Sequence, residues 1–332
     1  MKIRLGNVFL NEKTEELVLQ VLREGKIGQS EMVQEFERRF AEFLGVKYAI
    51  ATANGTMADT IALAVLKSKF PGKTKVAVPA LTFIAQINSV YYNHLEPVFY
   101  DVGKEPYVDE ETLCVFPVHL LGKPVKIPTG VPVIEDACEA LGSKLNGKYC
   151  GTMGDMGTFS FFPSHTITTG EGGMIVTDND EYAEVARKLR NHGKNKSDDF
   201  KFDVIGFNGK MGSLQAAIGV SLMDTLQEQI EKRHNNYILM GGKEGPDEYI
   251  VPHGFPMFYE SRDEKMEELK EAGIECRRLF SSIPTQEKAY EFLGYYKLGD
   301  FPEAERIGDT GLYVPCHQGL VLDEIDYIRR RL

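Results

Sequence analysis

Apolar positions fall into two spacings along this chain, and the switch between them outlines its elements. In residues 14–24, Leu17, Val18, Val21 and Leu22 recur at helical spacing and stop at Gly25. After a turn at Ile27-Gly28-Gln29-Ser30, Val33, Phe36, Phe40 and Phe43 line one face of a second helix that ends at Gly45. From there, short apolar runs alternate with helical stretches. Residues 48–52, 76–79, 97–101, 113–118, 131–135 and 174–177 read as strands, and residues 57–67 and 180–190 as helices. Residues 191–199 are polar and read as a loop. One long helix is expected from Met211 through Gln227 toward His234, and Gly241 to Pro246 marks a break. Beyond it, residues 263–272 read as a helix and 276–280 as a strand.

Strands alternating with helices predict an α/β protein, and 332 residues suffice for one large and one smaller domain. Lys and Arg total 38 against 49 Asp and Glu, a net charge of -11. That balance argues against a general nucleic-acid binder, which needs a basic face, but leaves room for a local anion pocket. Five cysteines without C-x-x-C spacing point to a reduced cytoplasmic protein with buried thiols and no metal or disulfide framework. The N-terminus turns charged within a few residues, and no apolar run approaches the ~18 residues of a membrane span. A soluble, cytoplasmic protein is expected.

The chemistry gathers around Ser160-Phe161-Phe162-Pro163-Ser164-His165-Thr166-Ile167-Thr168-Thr169-Gly170-Glu171-Gly172-Gly173. An apolar strand, a proline break and a glycine-rich return into the next strand make a loop that presents His165 at a fixed point. A histidine so held suits proton transfer. Upstream, Asn54-Gly55-Thr56 joins a strand to a helix, where glycine admits close approach and free amides favour an anion. Glu135-Asp136-Ala137-Cys138-Glu139 closes another strand, and ligands of open α/β sheets sit outside such carboxyl ends. His119, which follows residues 113–118, reads either as a ligand contact or as a strand cap.

The 160–173 segment resembles the signature of the pyridoxal phosphate (PLP)-dependent sugar aminotransferases, whose S-F-x-x-x-K motif ends in the cofactor-binding lysine. Here His165 takes the lysine's place, as in a small branch of sugar 3-dehydratases. The resemblance spans essentially the whole chain. It implies the type I fold of PLP-dependent transferases: a large domain with a mostly parallel seven-stranded sheet flanked by helices (residues 1–225), and a small C-terminal α/β domain (residues 226–332). It implies that Gly55, Thr56 and Ser160 bind the cofactor phosphate, that Phe83 stacks on the pyridine ring, and that Asp136 binds the ring nitrogen. Glu139 is a candidate partner of the phenolic oxygen. The segment Gly206-Phe207-Asn208-Gly209-Lys210-Met211 resembles the family's G-x-N-x-R-M motif, which implies that Asn208 reaches the phosphate of a neighbouring subunit in a homodimer. Lys210 stands where arginine is usual and lacks its forked geometry.

A histidine can shuttle a proton but cannot tether the cofactor. PLP, or its aminated form PMP, is therefore expected to be bound non-covalently. The reaction expected is loss of the C3 hydroxyl from a nucleotide-linked 4-keto-6-deoxy sugar, with glutamate as amino donor and His165 as acid and base. A related iron–sulfur branch needs clustered cysteines that this chain lacks. Two other readings keep the same scaffold: a nucleotide-sugar 4-aminotransferase whose lysine has been replaced, and a non-catalytic PLP-binding regulator.

Overall fold

Residues 2–195 and 200–332 are described by a computed structural model, and residues 196–199 of the expected polar loop lie outside them. Helix α1 (Glu12–Glu24) opens with a capping box in which Asn11 Oδ1 accepts from Thr14 N at 2.9 Å. Both α1 and α2 (Glu31–Leu44) end at glycines in the left-handed conformation, Gly25 and Gly45, as their sequence foretold. The apolar stripe of α2 packs inward: Phe36 and Phe40 are fully buried, and their rings lie 5.1–5.4 Å from those of Phe159 and Phe161. This aromatic cluster anchors the strand that leads into the His165 loop.

The central sheet is built from β1 (Tyr48–Thr52), β2 (Lys75–Pro79), β3 (Glu96–Tyr100), β4 (Thr112–Val115), β5 (Ile134–Asp136), β8 (Met156–Ser160) and β9 (Gly173–Thr177). A small hairpin of β6 (Lys144–Leu145) and β7 (Lys148–Tyr149) lies between β5 and β8 in the chain. Ladders give two segments, β1-β9-β8-β5 and β3-β2-β4. Parallel bridges Val115↔Val133 and Val118↔Asp136 join them into the order β1-β9-β8-β5-β4-β2-β3. Only β9 runs against the rest. This is the mostly parallel seven-stranded sheet expected. Helices α3 (Gly55–Lys69), α4 (Ile84–Tyr92) and α5 (Asp180–Arg190) contribute to its largest core, with Ile61, Leu66, Ile87 and Ala186 buried among Val76, Val78 and Ile134.

Two expectations are corrected. The single helix drawn from Met211 toward His234 is two, α6 (Ser213–Met223) and α7 (Leu226–Leu239). Between them Asp224 is held by Lys13 at 2.5 Å and Arg39 at 2.6 Å, and Thr225 leaves helical geometry. The strand expected over residues 276–280 shrinks to β12 (Arg277–Arg278), and the chain beyond it bridges Leu81 at Ser282.

The C-terminal part carries β10 (Glu248–Tyr249), which pairs with β6, and an antiparallel sheet in the order β11 (Phe255–Phe258), β13 (Gly311–Val314), β12. Helices α8 (Arg262–Glu271) and α11 (Leu322–Arg329) pack on it, burying Met257, Leu269, Leu312, Ile325 and Ile328 with Ile3 from the N-terminus. Helices α9 (Ile283–Gln286) and α10 (Pro302–Thr310) lie between this sheet and the large one, α10 contacting β11 and β13. Their neighbours Tyr290 and Phe301 pack on the β3 side of the large sheet, against Tyr91 and Phe99.

Candidate active site

The carboxyl ends of β1, β5 and β8 deliver the candidate residues to one edge of the sheet. After β1, Asn54 caps α3 through its side chain, which accepts from Met57 N at 2.8 Å. That bond serves the third amide of the helix and leaves those of Gly55 and Thr56, in the first turn, for an anion. Gly55 has no room for a side chain: a Cβ there would lie 2.8 Å from Ser160 Cβ and 3.2 Å from Cys138 Sγ. The Gly55 backbone, the Ser160 hydroxyl and the end of β5 thus form one cradle. Gly55→Ala is expected to weaken cofactor phosphate binding by about 1–3 kcal/mol through overpacking, roughly 5- to 150-fold in affinity, as read by fluorescence titration. Unchanged affinity would remove Gly55 from the site.

Asp136 is 5% exposed and accepts from Cys138 N at 3.1 Å. Beside it lies a residue that sequence reasoning missed. Asp59 of α3 is buried, its Oδ1 has no partner, and its carboxyl, that of Asp136 and the Cys138 thiol all fall within 4.8 Å. Burial, reinforced by the Asp136 charge, pushes Asp59 well above the usual carboxylate range, and burial also raises Asp136. The Cys138 thiol is likewise pushed far up by burial. Protonated ligands oppose a metal ion, so the cluster is better suited to a neutral acid beside one carboxylate.

His165 lies on the β8–β9 loop, which is tightly pinned. Phe161 N bonds Gly172 O, Thr168 Oγ1 bonds Phe161 O at 2.8 Å, and His165 N bonds Phe162 O at 3.0 Å. From outside the loop, the fully buried Arg233 of α7 donates through Nη2 to His165 O at 3.0 Å and to Ser164 O at 3.3 Å. The ring is half-buried rather than displayed at a tip, and its Nδ1 is buried without a partner. Burial, aided by the Arg233 guanidinium, lowers its pKa to about 3, so the imidazole is neutral above strongly acid pH. It packs on His253, a second residue that no motif announced, with ring centroids 4.9 Å apart.

Glu139 turns one oxygen to Leu121 N at 2.8 Å and the other toward His253 Nε2 at 3.9 Å. His119 resolves as structural. Its Nε2 bonds the buried Glu135 carboxylate at 2.8 Å, and Nδ1 accepts from Val125 N. Glu135 in turn accepts from the amides of Gly151, Met153 and Gly154, fixing the turn before β8.

Two predicted residues are not brought into this cluster. Phe83 is 52% exposed, with its ring 5.3 Å from Phe280, at a cavity of about 620 Å³ that Arg262 and Arg278 also line. Asn208 is exposed and bonds Lys210 Nζ at 2.9 Å; its neighbour Gly209 accepts from Ala53 N beside the cradle. Of the residues that reading missed, Asp59 left a trace, as a lone acid on an otherwise apolar helix.

A mostly parallel sheet with an anion cradle, a buried carboxylate and a pinned base at its carboxyl edge defines a PLP-dependent transferase fold of type I. The chain belongs to the DegT/DnrJ/EryC1/StrS aminotransferase family, whose model matches residues 9–332. It is 34% identical over 331 residues to the GDP-perosamine synthase of Caulobacter vibrioides, covering 89% of this chain and 88% of that one. It is 29% identical over 371 residues to the GDP-4-keto-6-deoxy-D-mannose 3-dehydratase of Yersinia pseudotuberculosis, covering 95% and 94%. The structure of the Escherichia coli GDP-4-keto-6-deoxy-D-mannose-3-dehydratase with bound hydrated PLP matches with a TM-score of 0.90 at 26% identity, over 100% of this chain and 99% of that one.

Proposed function

We propose that this protein is a PLP/PMP-dependent 3-dehydratase of a nucleotide-linked 4-keto-6-deoxy sugar, with glutamate as amino donor. The observation that carries the reading is His165, a neutral imidazole pinned by Arg233 at the place of the family's lysine. The cofactor fits these residues. The Gly55 and Thr56 amides with Ser160 would hold its phosphate, and Asp136 its ring nitrogen. Phe83 and Glu139 would flank the ring, and Asn208 would serve the phosphate of a partner subunit in a homodimer. When bound, the cofactor supplies an amine for the sugar's keto carbon and an electron sink for the C–H bond that breaks. His165, a neutral imidazole, takes that proton and returns it to the departing hydroxyl. The Asp136 carboxylate keeps the ring nitrogen protonated while Asp59 stays neutral behind it. Among the described residues, no helix is long and apolar enough to cross a membrane.

Higher identity to a perosamine synthase favours a second reading, a sugar 4-aminotransferase. One assay separates the two. Purified protein is incubated with PMP, glutamate and a panel of GDP-, dTDP-, UDP- and CDP-linked 4-keto-6-deoxy sugars. Dehydration releases ammonia and a 3-deoxy-4-keto sugar. An accumulating 4-amino sugar without ammonia would overturn the proposal in favour of the aminotransferase.

A further inference from the structure

One face of the large sheet carries a cavity that the reaction above does not use. Side chains alternate across a strand, so Val78, Phe99 and Cys114 enter the core with α3 and α4, while the next residues, Pro79, Tyr100 and Val115, line the cavity on the opposite face. Parallel strands are ordinarily joined through helices that cover both faces of a sheet. Here the crossovers from β3 to β4 (residues 101–111) and from β4 to β5 (residues 116–133) contain no α-helix among the described residues, only a 3-10 turn at Leu120–Gly122. Loop residues such as Val108 and Ile127, with Phe258 of β11 and Ile307 of α10, roof this face instead and leave about 850 Å³ beneath them. That volume lies within the range of small-molecule sites, roughly 300–1,000 Å³, and the lining is mainly apolar, as theirs is.

We propose that this cavity binds an amphipathic organic anion: an apolar body the size of a medium-chain fatty acid, with one acidic head. Its walls come from both crossovers and from the C-terminal part, an enclosure that suits a small molecule rather than a helix of a second protein. The charged groups decide the sign of the head. The lining holds Lys104, Lys123 and Lys126 against Glu105 alone. Lys123 is paired with Glu248 at 2.5 Å, while Lys104 and Lys126 have no ion-pair partner among the described residues. Two unpaired cations at an apolar cavity, in a chain of net charge -11, are complementary to an anionic head. The cavity is separate from the candidate active site. The two meet at Leu121, which lines the cavity and donates its amide to Glu139 Oε2 at 2.8 Å. An occupant therefore leaves the phosphate cradle and Asp136 free.

The test is calorimetric titration of the full-length, cofactor-loaded protein with octanoate, decanoate and dodecanoate below their micelle concentrations. One acid per chain is expected, with affinity rising about fourfold for each added methylene. Dodecyltrimethylammonium, with the same body and the opposite charge, should bind roughly tenfold more weakly. Ile127→Trp, which fills the cavity, should weaken dodecanoate by roughly tenfold or more. A second variant, Lys104→Glu with Lys126→Glu, leaves the apolar wall intact; its loss should be roughly 3- to 10-fold and shrink as salt rises. Absence of saturable binding by any of the acids, equal affinity for the cationic amphiphile, or dodecanoate binding unchanged in either variant overturns the proposal. So does release of the cofactor by dodecanoate, which would put the anion in the active site. A fall in native oligomeric mass in either variant would show that another copy of the chain covers this face, and overturns it too.

Discussion

His165→Lys is expected to cut dehydration by about 10²- to 10⁴-fold and to leave the cofactor covalently attached. Burial and the Arg233 guanidinium, which hold the imidazole neutral, would act on an ammonium in the same direction. The new lysine is thereby kept partly as the free amine, the form that attacks an aldehyde. Borohydride treatment followed by intact-mass measurement under denaturing conditions should show one added cofactor in the variant and none in wild type. Product analysis with a 4-keto sugar and glutamate should move from deoxy toward amino sugar. His165→Asn separates the two effects, since it removes the base without supplying an amine: dehydration falls and no mass is added. Dehydration at the wild-type rate in His165→Lys would place the base elsewhere.

Legibility in the sequence followed how local each determinant is. Residues 180–190 read as a helix and form one with the same bounds, because Asn179 caps it and its apolar stripe is regular. The cradle was readable because glycine, a capping residue and a following helix are neighbours in the chain. Gly55 and Ser160 are 105 residues apart, yet both belong to a motif, and the sheet brings them together. The break at Asp224 was not readable. It depends on Lys13 and Arg39, cations from two other helices that no window around residue 224 contains. Arg233 and His253 were missed for the same reason. An arginine on a helix surrounded by Glu231 and Lys232 looks solvated, and a histidine between Pro252 and Gly254 looks like a turn residue. Their burial arises only when α7 and the segment before β11 close over the His165 loop. Phe83 and Asn208 show the converse: family likeness gave Phe83 a ring to stack on and Asn208 a neighbouring subunit's phosphate, roles that the contacts of this chain do not supply.

Arg233→Met is expected to reduce turnover by about 10²-fold while lowering unfolding free energy by only about 1–3 kcal/mol. Arg233 is fully buried, and its donors reach four acceptors: Gln318 Oε1 at 2.7 Å and the carbonyls of Pro252, Ser164 and His165. None is a carboxylate, so among the described residues the charge is desolvated without a counterion, and burial lowers its pKa to about 10. Methionine relieves that cost but orphans the acceptors, and the two effects offset each other in stability. They do not offset in catalysis. The carbonyls of Ser164 and His165 are released, and a displacement of about 1 Å in a reacting group is enough to cost 10²-fold. Loss of the guanidinium also removes one of the two causes that hold the imidazole neutral, so the His165 pKa moves upward from about 3. Urea unfolding, steady-state turnover and ring ¹⁵N titration on the same preparation measure all three. Arg233→Lys should fare nearly as badly, since an ammonium cannot bridge four acceptors with the planar fork. Wild-type turnover in a destabilised Arg233→Met would make the arginine a structural prop, and the placement of His165 would then have to come from the bonds within its own loop.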